Sequence, residues 1–230
     1  MEHKLFIQKR AVGRKKLERF AQNASNYNVI EAGKEFYQNS KGKWQSEHFK
    51  NTNPIVLELA CGRGEYSVGM AEVFANKNFI GVDIKGARIW KGSTLALEKG
   101  LHNVAFLRTY IQNLEEFFAE KEIAEIWIIH PDPRPKEADA RRRLTHPRFL
   151  AMYRKLLQKD AYLHLKTDNT GLFDYTLEVL KDFPIKNLVY TYDLNNSPWA
   201  EEHFGIKTKY ELAFEEKGET IKYMKFQFSQ

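Results

Sequence analysis

One cysteine, Cys61, is all that the 230-residue chain carries, which excludes an internal disulfide and fits a reducing compartment. No His/Cys group has the spacing of a zinc site, so no metal is expected. The longest purely apolar runs span only a few residues, far short of a membrane crossing. Met1-Glu2-His3-Lys4 leads into scattered charge where a signal peptide would have an apolar block. Internal repeats and low-complexity linkers are missing as well. These absences predict a soluble, cytoplasmic protein with no membrane partner, and they leave monomer and homodimer equally open. The chain is nonetheless rich enough in apolar side chains, at 43%, to bury a substantial core as one large domain or one domain with an appendage.

Acidic charge is the scarcer sign. The net charge is +6, and the excess is gathered in two places: Lys9, Arg10, Arg14, Lys15, Lys16 and Arg19, then Lys136 with Arg141 to Arg143. Either cluster alone reads as a solvated surface; two of them point toward a phosphate backbone. The second follows His130-Pro131-Asp132-Pro133-Arg134-Pro135. Proline fixes φ and continues neither a helix nor a central strand, so Asp132 is expected on a stiff loop. Open α/β folds place their chemistry on loops at the carboxyl ends of strands.

Residues 1–50 lack sustained periodicity and read as a basic arm, mobile or docked on a partner, with one helix near 14–22. From Pro54 strand and helix signals alternate. Strands are expected over 55–60, 78–83, 103–107, 124–129 and 161–166, and helices over 65–75, 86–99, 112–120, 147–158 and 171–182. Two late strands, 186–192 and 221–228, have no obvious helix between them. Successive βα units imply a parallel sheet with helices on both faces, and the late pair implies an antiparallel finish. The fold class expected for 51–230 is therefore α/β, Rossmann-like of the class I methyltransferase type, with a mostly parallel seven-stranded sheet ending in an antiparallel strand.

Glu58-Leu59-Ala60-Cys61-Gly62-Arg63-Gly64 follows the first strand and opens the first helix. Glycines at 62 and 64 let the backbone turn sharply and approach a ligand. Asp83 ends the second strand, the usual place for a carboxylate that holds ribose hydroxyls. A dinucleotide would want a third glycine where Ser67 stands, and a helix start free of the negative charge of Glu65. The acidic loop suits a cationic ligand, and S-adenosylmethionine carries a sulfonium and an ammonium but no phosphate. A plain βα turn is the bland alternative. Cys61 reads as a packing residue, because no catalytic base lies nearby in sequence.

With these blocks in place, the chain resembles the bacterial tRNA (guanine-N7)-methyltransferases over roughly residues 54–228. The resemblance rests on Glu58-x-x-Cys-Gly-x-Gly, Asp83, Asp132-Pro133-x-Pro135-Lys136, Arg142-Arg143-Leu144, Lys166-Thr167-Asp168-Asn169 and Thr208-Lys209-Tyr210-Glu211. It implies that Glu58, Gly62, Gly64 and Asp83 bind S-adenosylmethionine. Asp132 would be the catalytic residue at the reacting guanine, and Lys136 and Arg142 would hold the tRNA. Asp168 with Thr208, Lys209, Tyr210 and Glu211 would complete the guanine pocket. The reaction implied is methyl transfer to N7 of a variable-loop guanine. Three positions depart from the family pattern: Tyr110 stands where an acidic residue usually faces the adenine, Arg134 where a tryptophan is usual, and Ala138-Asp139 where an Arg-His pair is usual. Those departures allow two other readings, an RNA-binding protein of the same fold without full catalysis, and a class I methyltransferase acting on another substrate.

Guanine N7 already presents a lone pair, so no deprotonation precedes transfer. The task is to align N7 with the methyl group and to stabilise a base that becomes cationic. Carboxylates such as Asp132, Asp168 and Glu211 suit the guanine N1 and N2 hydrogens.

Overall fold

Near-continuous apolar runs such as Ile55-Val56-Leu57 need cover on both faces, and the computed structural model, which describes residues 15–229, provides it. The strands are β1 (Val29–Ile30), β2 (Ile55–Leu59), β3 (Asn78–Asp83), β4 (Val104–Arg108), β5 (Ile123–Ile129), β6 (Leu157–Thr167), β7 (Ile185–Thr191) and β8 (Lys222–Phe228). The helices are α1 (15–25), α2 (Glu35–Asn39), α3 (Glu65–Val73), α4 (Gly86–Glu98), α5 (Leu114–Phe117), α6 (Pro147–Leu156), α7 (Thr170–Leu180) and α8 (Lys209–Glu215). One eight-stranded sheet runs in the order β1-β4-β3-β2-β5-β6-β8-β7. All neighbours are parallel except β8, which runs antiparallel to β6 and to β7.

The alternation of side chains splits the core by parity. Leu57, Leu59, Ile80, Val82, Ile126 and Ile128 face one layer with Phe149, Leu150 and Phe173. Val56, Phe79, Val104, Phe106, Trp127 and Ile129 face the other with Tyr66, Ile89 and Tyr223. The chain moves outward from β2 to β3 and β4, then returns to place β5 on the other side of β2. The carboxyl ends of β2 and β5 therefore lie side by side where the winding reverses, which is where open sheets bind ligands.

Besides the short extra helix α2 in the arm, two features depart from the sequence expectation. The sheet has one strand beyond seven, because β1 adds to its edge beside β4. That strand has only two residues, too few for a period to show. It also belongs to the expected arm, which from residue 15 onward is tied to the domain. Trp44 is fully buried, stacks on Phe118 with centroids 5.3 Å apart, and donates from Nε1 to the Phe117 carbonyl at 2.9 Å. Lys34 Nζ donates to the carbonyls of Asn23, Asn26 and Val29 at 2.9, 2.6 and 2.6 Å, closing the turn between α1 and β1. Lys9, Arg10 and Arg14 of the basic cluster lie outside the described residues. The second departure is α8, which falls where no helix was expected. It is short and has no apolar stripe, but Thr208 caps it by accepting from the Glu211 amide at 3.2 Å, and Thr-x-x-Glu is a helix-start pattern.

Candidate active site

The loop after β2 turns through three left-handed residues, Ala60 (φ 58°), Gly62 (φ 58°) and Gly64 (φ 68°). It is pinned from β3, since Asp83 accepts from the amides of Gly62 at 3.0 Å and Lys85 at 2.8 Å. Glu58 is only 5% exposed. It accepts from the Ser67 amide at 2.8 Å and from the Ser67 hydroxyl, and among the described residues none of its hydrogen bonds comes from a cationic side chain. Burial pushes its carboxyl up to about 7, against the Ser67 hydrogen bonds and with help from Glu65 and Asp83. A buried carboxylate without a cation is unfavourable until a cationic partner arrives, so the loop fits a ligand ammonium or sulfonium. Cys61 is buried, and burial pushes its thiol well above the usual range. It packs and does not attack.

Two clefts open beside this loop and share Ala60. The first, about 350 Å³, is lined by Asp83, Ile84, Tyr110, Arg134, Arg142 and Phe149 among others. The second, about 330 Å³, takes in Glu58, Gly62, His130, Asp132, Asp168, Thr208 and Tyr210, with Arg63, Lys85 and Arg88 as a cationic border. Sequence reasoning missed those three arginine and lysine residues, which are not clustered along the chain. They converge because the loop after β2 and the start of α4 meet in space.

After β5 the chain enters its proline-rich loop. Asp132 is 62% exposed at its side chain and pairs with Arg134 at 3.1 Å. Arg142 is exposed and pairs with Asp139 at 3.1 Å. Arg143, two of whose basic neighbours face solvent, is instead buried. It donates to the carbonyls of Arg134 at 3.1 Å and Pro135 at 3.5 Å, and its guanidinium lies 4.3 Å from the Tyr175 ring centroid. Arg143 thus braces the loop that presents Asp132 and is not free to grip a ligand. Lys136 and Lys209 line neither cleft.

Asp168 follows β6 and reaches the second cleft, where its Oδ1 lies 3.1 Å from His130 Nδ1. Burial raises its carboxyl, but the His130 hydrogen bond and charge outweigh that and hold it below the usual range. Glu211 does not line the cleft. Its side chain and that of Lys166 are each 1% exposed and pair at 2.7 Å. The expected direct contact of Glu211 with a guanine is therefore corrected: α8 turns that carboxylate inward, beneath His130, at 3.8 Å from its Nε2. Lys166 was not singled out as a buried partner, because an apolar strand ordinarily hides no lysine.

Among the described residues no group of His, Cys, Asp and Glu could hold a metal ion, and no helix is long and apolar enough to cross a membrane.

A family model described as "Putative methyltransferase" matches residues 52–224. A tRNA (guanine-N(7)-)-methyltransferase from Cytophaga hutchinsonii is 51% identical over 219 residues, covering 94% of this chain and 99% of that protein. One of the same name from Bacteroides fragilis is 47% identical, covering 94% and 86%. Among solved structures, the 16S rRNA methyltransferase KamB superposes with a TM-score of 0.59 at 13% identity, covering 77% of this chain and 89% of that one. At that identity the likeness concerns the fold.

Proposed function

Because the chain belongs to the tRNA (guanine-N7)-methyltransferase family, we infer that it transfers a methyl group from S-adenosylmethionine to N7 of a guanine in tRNA. The variable loop is the site of that guanine in this reading. The observation that carries it is Glu58, a buried carboxylate with no cationic hydrogen-bond donor among the described residues, beside a cleft that also holds Asp132 and Asp168.

S-adenosylmethionine, when bound, supplies an electrophilic methyl group on a positively charged sulfur. Glu58 then gains the cation that its burial lacks, and the Gly62 turn brings backbone close to the ligand. Asp83 keeps carboxylate lone pairs beyond its two amide contacts for ribose hydroxyls. Tyr110, 59% exposed in the neighbouring cleft, offers a ring face to the adenine where an acidic residue is usual.

Asp132 and Asp168 receive the guanine in this reading. Each accepts hydrogen bonds from N1–H or N2–H and balances the positive charge that the base acquires. No general base is needed. Asp132 exchanges its Arg134 partner for the base, and its catalytic part is orientation and charge stabilisation. Arg142, Lys136, Arg63, Lys85 and Arg88 supply cations for the flanking phosphates, a contribution that weakens with salt. Thr208 and Tyr210 close the cleft from α8.

The test is methylation of bulk tRNA by wild-type protein and by Asp132→Ala, followed by nucleoside mass spectrometry. The expected result is 7-methylguanosine from the wild type and a loss of about 100-fold or more in the variant, the scale of removing one preorganised electrostatic partner. Undiminished activity in a folded variant would remove Asp132 from the mechanism. Absence of 7-methylguanosine with the wild type would overturn the reading.

A further inference from the structure

One group in the second cleft is used by none of the roles above. His130 follows β5 directly, with φ at 44°, a left-handed value that histidine, like asparagine and aspartate, adopts more readily than most side chains. Its side chain is 5% exposed. Nδ1 lies 3.1 Å from Asp168 Oδ1, on the loop after β6, and Nε2 lies 3.8 Å from Glu211 Oε2, on α8. The other charged groups around it are fixed too. Lys166 of β6 holds the remaining oxygen of Glu211 at 2.7 Å, and Lys222 of β8 donates to the Asp168 carbonyl at 2.9 Å. Phe214 of α8 packs against the ring with centroids 5.8 Å apart, and Asp132 is two residues along on the same loop. Among the described residues, His130 Nε2 and Glu211 Oε2 are both buried without a hydrogen-bond partner, facing each other across that gap.

We propose that His130, as an imidazolium, is the positioning residue of the guanine site, donating from Nδ1 to Asp168 and directing its Nε2–H at Glu211. The inference rests on the reading of Asp168 as a guanine-binding carboxylate. A neutral imidazole has one N–H and can serve only one of the two carboxylates; the other would face a lone pair. Only the protonated ring turns an N–H toward both, hydrogen-bonded to Asp168 at 3.1 Å and in charge contact with Glu211 at 3.8 Å, and so ties Asp168 to the buried Lys166–Glu211 pair. Burial alone would favour the neutral ring, but the hydrogen bonds and charges of Asp168 and Glu211 outweigh it and raise its pKa above the ordinary histidine value. Loss of the proton leaves a single N–H for the two carboxylates and takes the charge from the Asp168 hydrogen bond, which weakens the hold on Asp168, so turnover of tRNA falls as pH rises through the titration of His130.

The variant His130→Asn makes the test clean, since asparagine tolerates left-handed φ and can place an amide donor near the Nδ1 position, while it carries no charge. The expected results are an imidazole doubly protonated at neutral pH by ¹⁵N NMR, and a pKa that drops in Asp168→Asn. In His130→Asn, kcat/KM for tRNA falls about 10- to 100-fold, the effect of losing one charge-assisted hydrogen bond. The KM for S-adenosylmethionine stays unchanged and the alkaline limb assigned to His130 disappears. A neutral ring at pH 7, or a variant whose pH profile overlays the wild type, would overturn the proposal; a purely structural histidine would lower only thermal stability. Wild-type protein inert toward tRNA would instead overturn the guanine reading, while the NMR measurement tests the imidazolium independently of it.

Discussion

Lys166 and Glu211 form an ion pair at 2.7 Å in which each side chain is 1% exposed, directly beneath the cleft. Removing Lys166 strips the buried Glu211 of the cation paired with it at 2.7 Å and leaves it only the more distant His130 at 3.8 Å. Lys166→Met is expected to destabilise the fold by about 3–5 kcal/mol. The double variant Lys166→Met/Glu211→Leu, which removes both charges, is expected to recover most of that loss. Thermal or urea unfolding of the single and double variants checks this. A double variant as unstable as the single one would show that packing, and not the stranded charge, sets the cost.

Glu58 makes stability and cofactor binding respond to pH in opposite directions. Its folded-state pKa is raised from 4.5 to about 7, so its contribution to stability is full below the unfolded value and is lost as pH rises through about 7. Without cofactor, Glu58→Gln is expected to raise the melting temperature at pH 8 and to change it little at pH 4. Binding of S-adenosylmethionine wants the ionised form, so affinity rises toward pH 8 and protons are released at pH 6–7. Calorimetry in buffers of different ionisation enthalpy measures that release, and its persistence in Glu58→Gln would assign it elsewhere.

The mostly parallel sheet, its antiparallel end and most element bounds were legible because strands buried on both faces are apolar runs with glycine at the turns, whereas the strand order comes from the structure. Asp83, which ends β3, and Glu58 and Asp132, near and just past the ends of β2 and β5, are marked by their places at one edge of the sheet, whereas Asp168, just past β6, is singled out through the family resemblance. What the one-dimensional pattern could not show is direction. Arg142 and Arg143 are neighbours of identical charge, yet one faces solvent and the other sits under Tyr175. Glu211 reads as a site carboxylate until Thr208 caps α8 and turns it inward. His130 gives no signal at all, because its two carboxylate partners are 38 and 81 residues away in sequence.

The contrast between the two arginines can be measured. Arg142→Ala is expected to weaken tRNA binding without loss of stability, and to reduce the slope of log affinity against log salt by about 1, the effect of one lost phosphate contact. Arg143→Ala leaves the Arg134 carbonyl unsatisfied and the Tyr175 ring uncovered. It is expected to cost about 1–3 kcal/mol of stability and to loosen the Asp132 loop, lowering kcat. Salt titrations of binding alongside melting curves separate the two. If Arg143→Ala changed the salt slope and spared stability, it would be a phosphate contact after all.

Phe106 is the reason that replacing Gly64 costs more than replacing Gly62. The ring of this buried residue on β4 sits against three glycines: a Cβ at Gly64, Gly81 or Gly92 would come within 2.3, 2.9 or 2.6 Å of its carbons. Gly62 is different, since a Cβ there meets nothing closer than 3.9 Å and only its φ resists a side chain. Gly62→Ala is expected to cost about 1–2 kcal/mol, the left-handed penalty that Ala60 already bears in the same loop. Gly64→Ala carries that penalty and adds overpacking of about 1–3 kcal/mol. Phe106→Leu in the Gly64→Ala background relieves the overlap, so the double variant is expected to be more stable than additivity allows. A double-mutant cycle by chemical denaturation gives the coupling directly, and zero coupling would mean that the loop and not the ring yields to the added methyl.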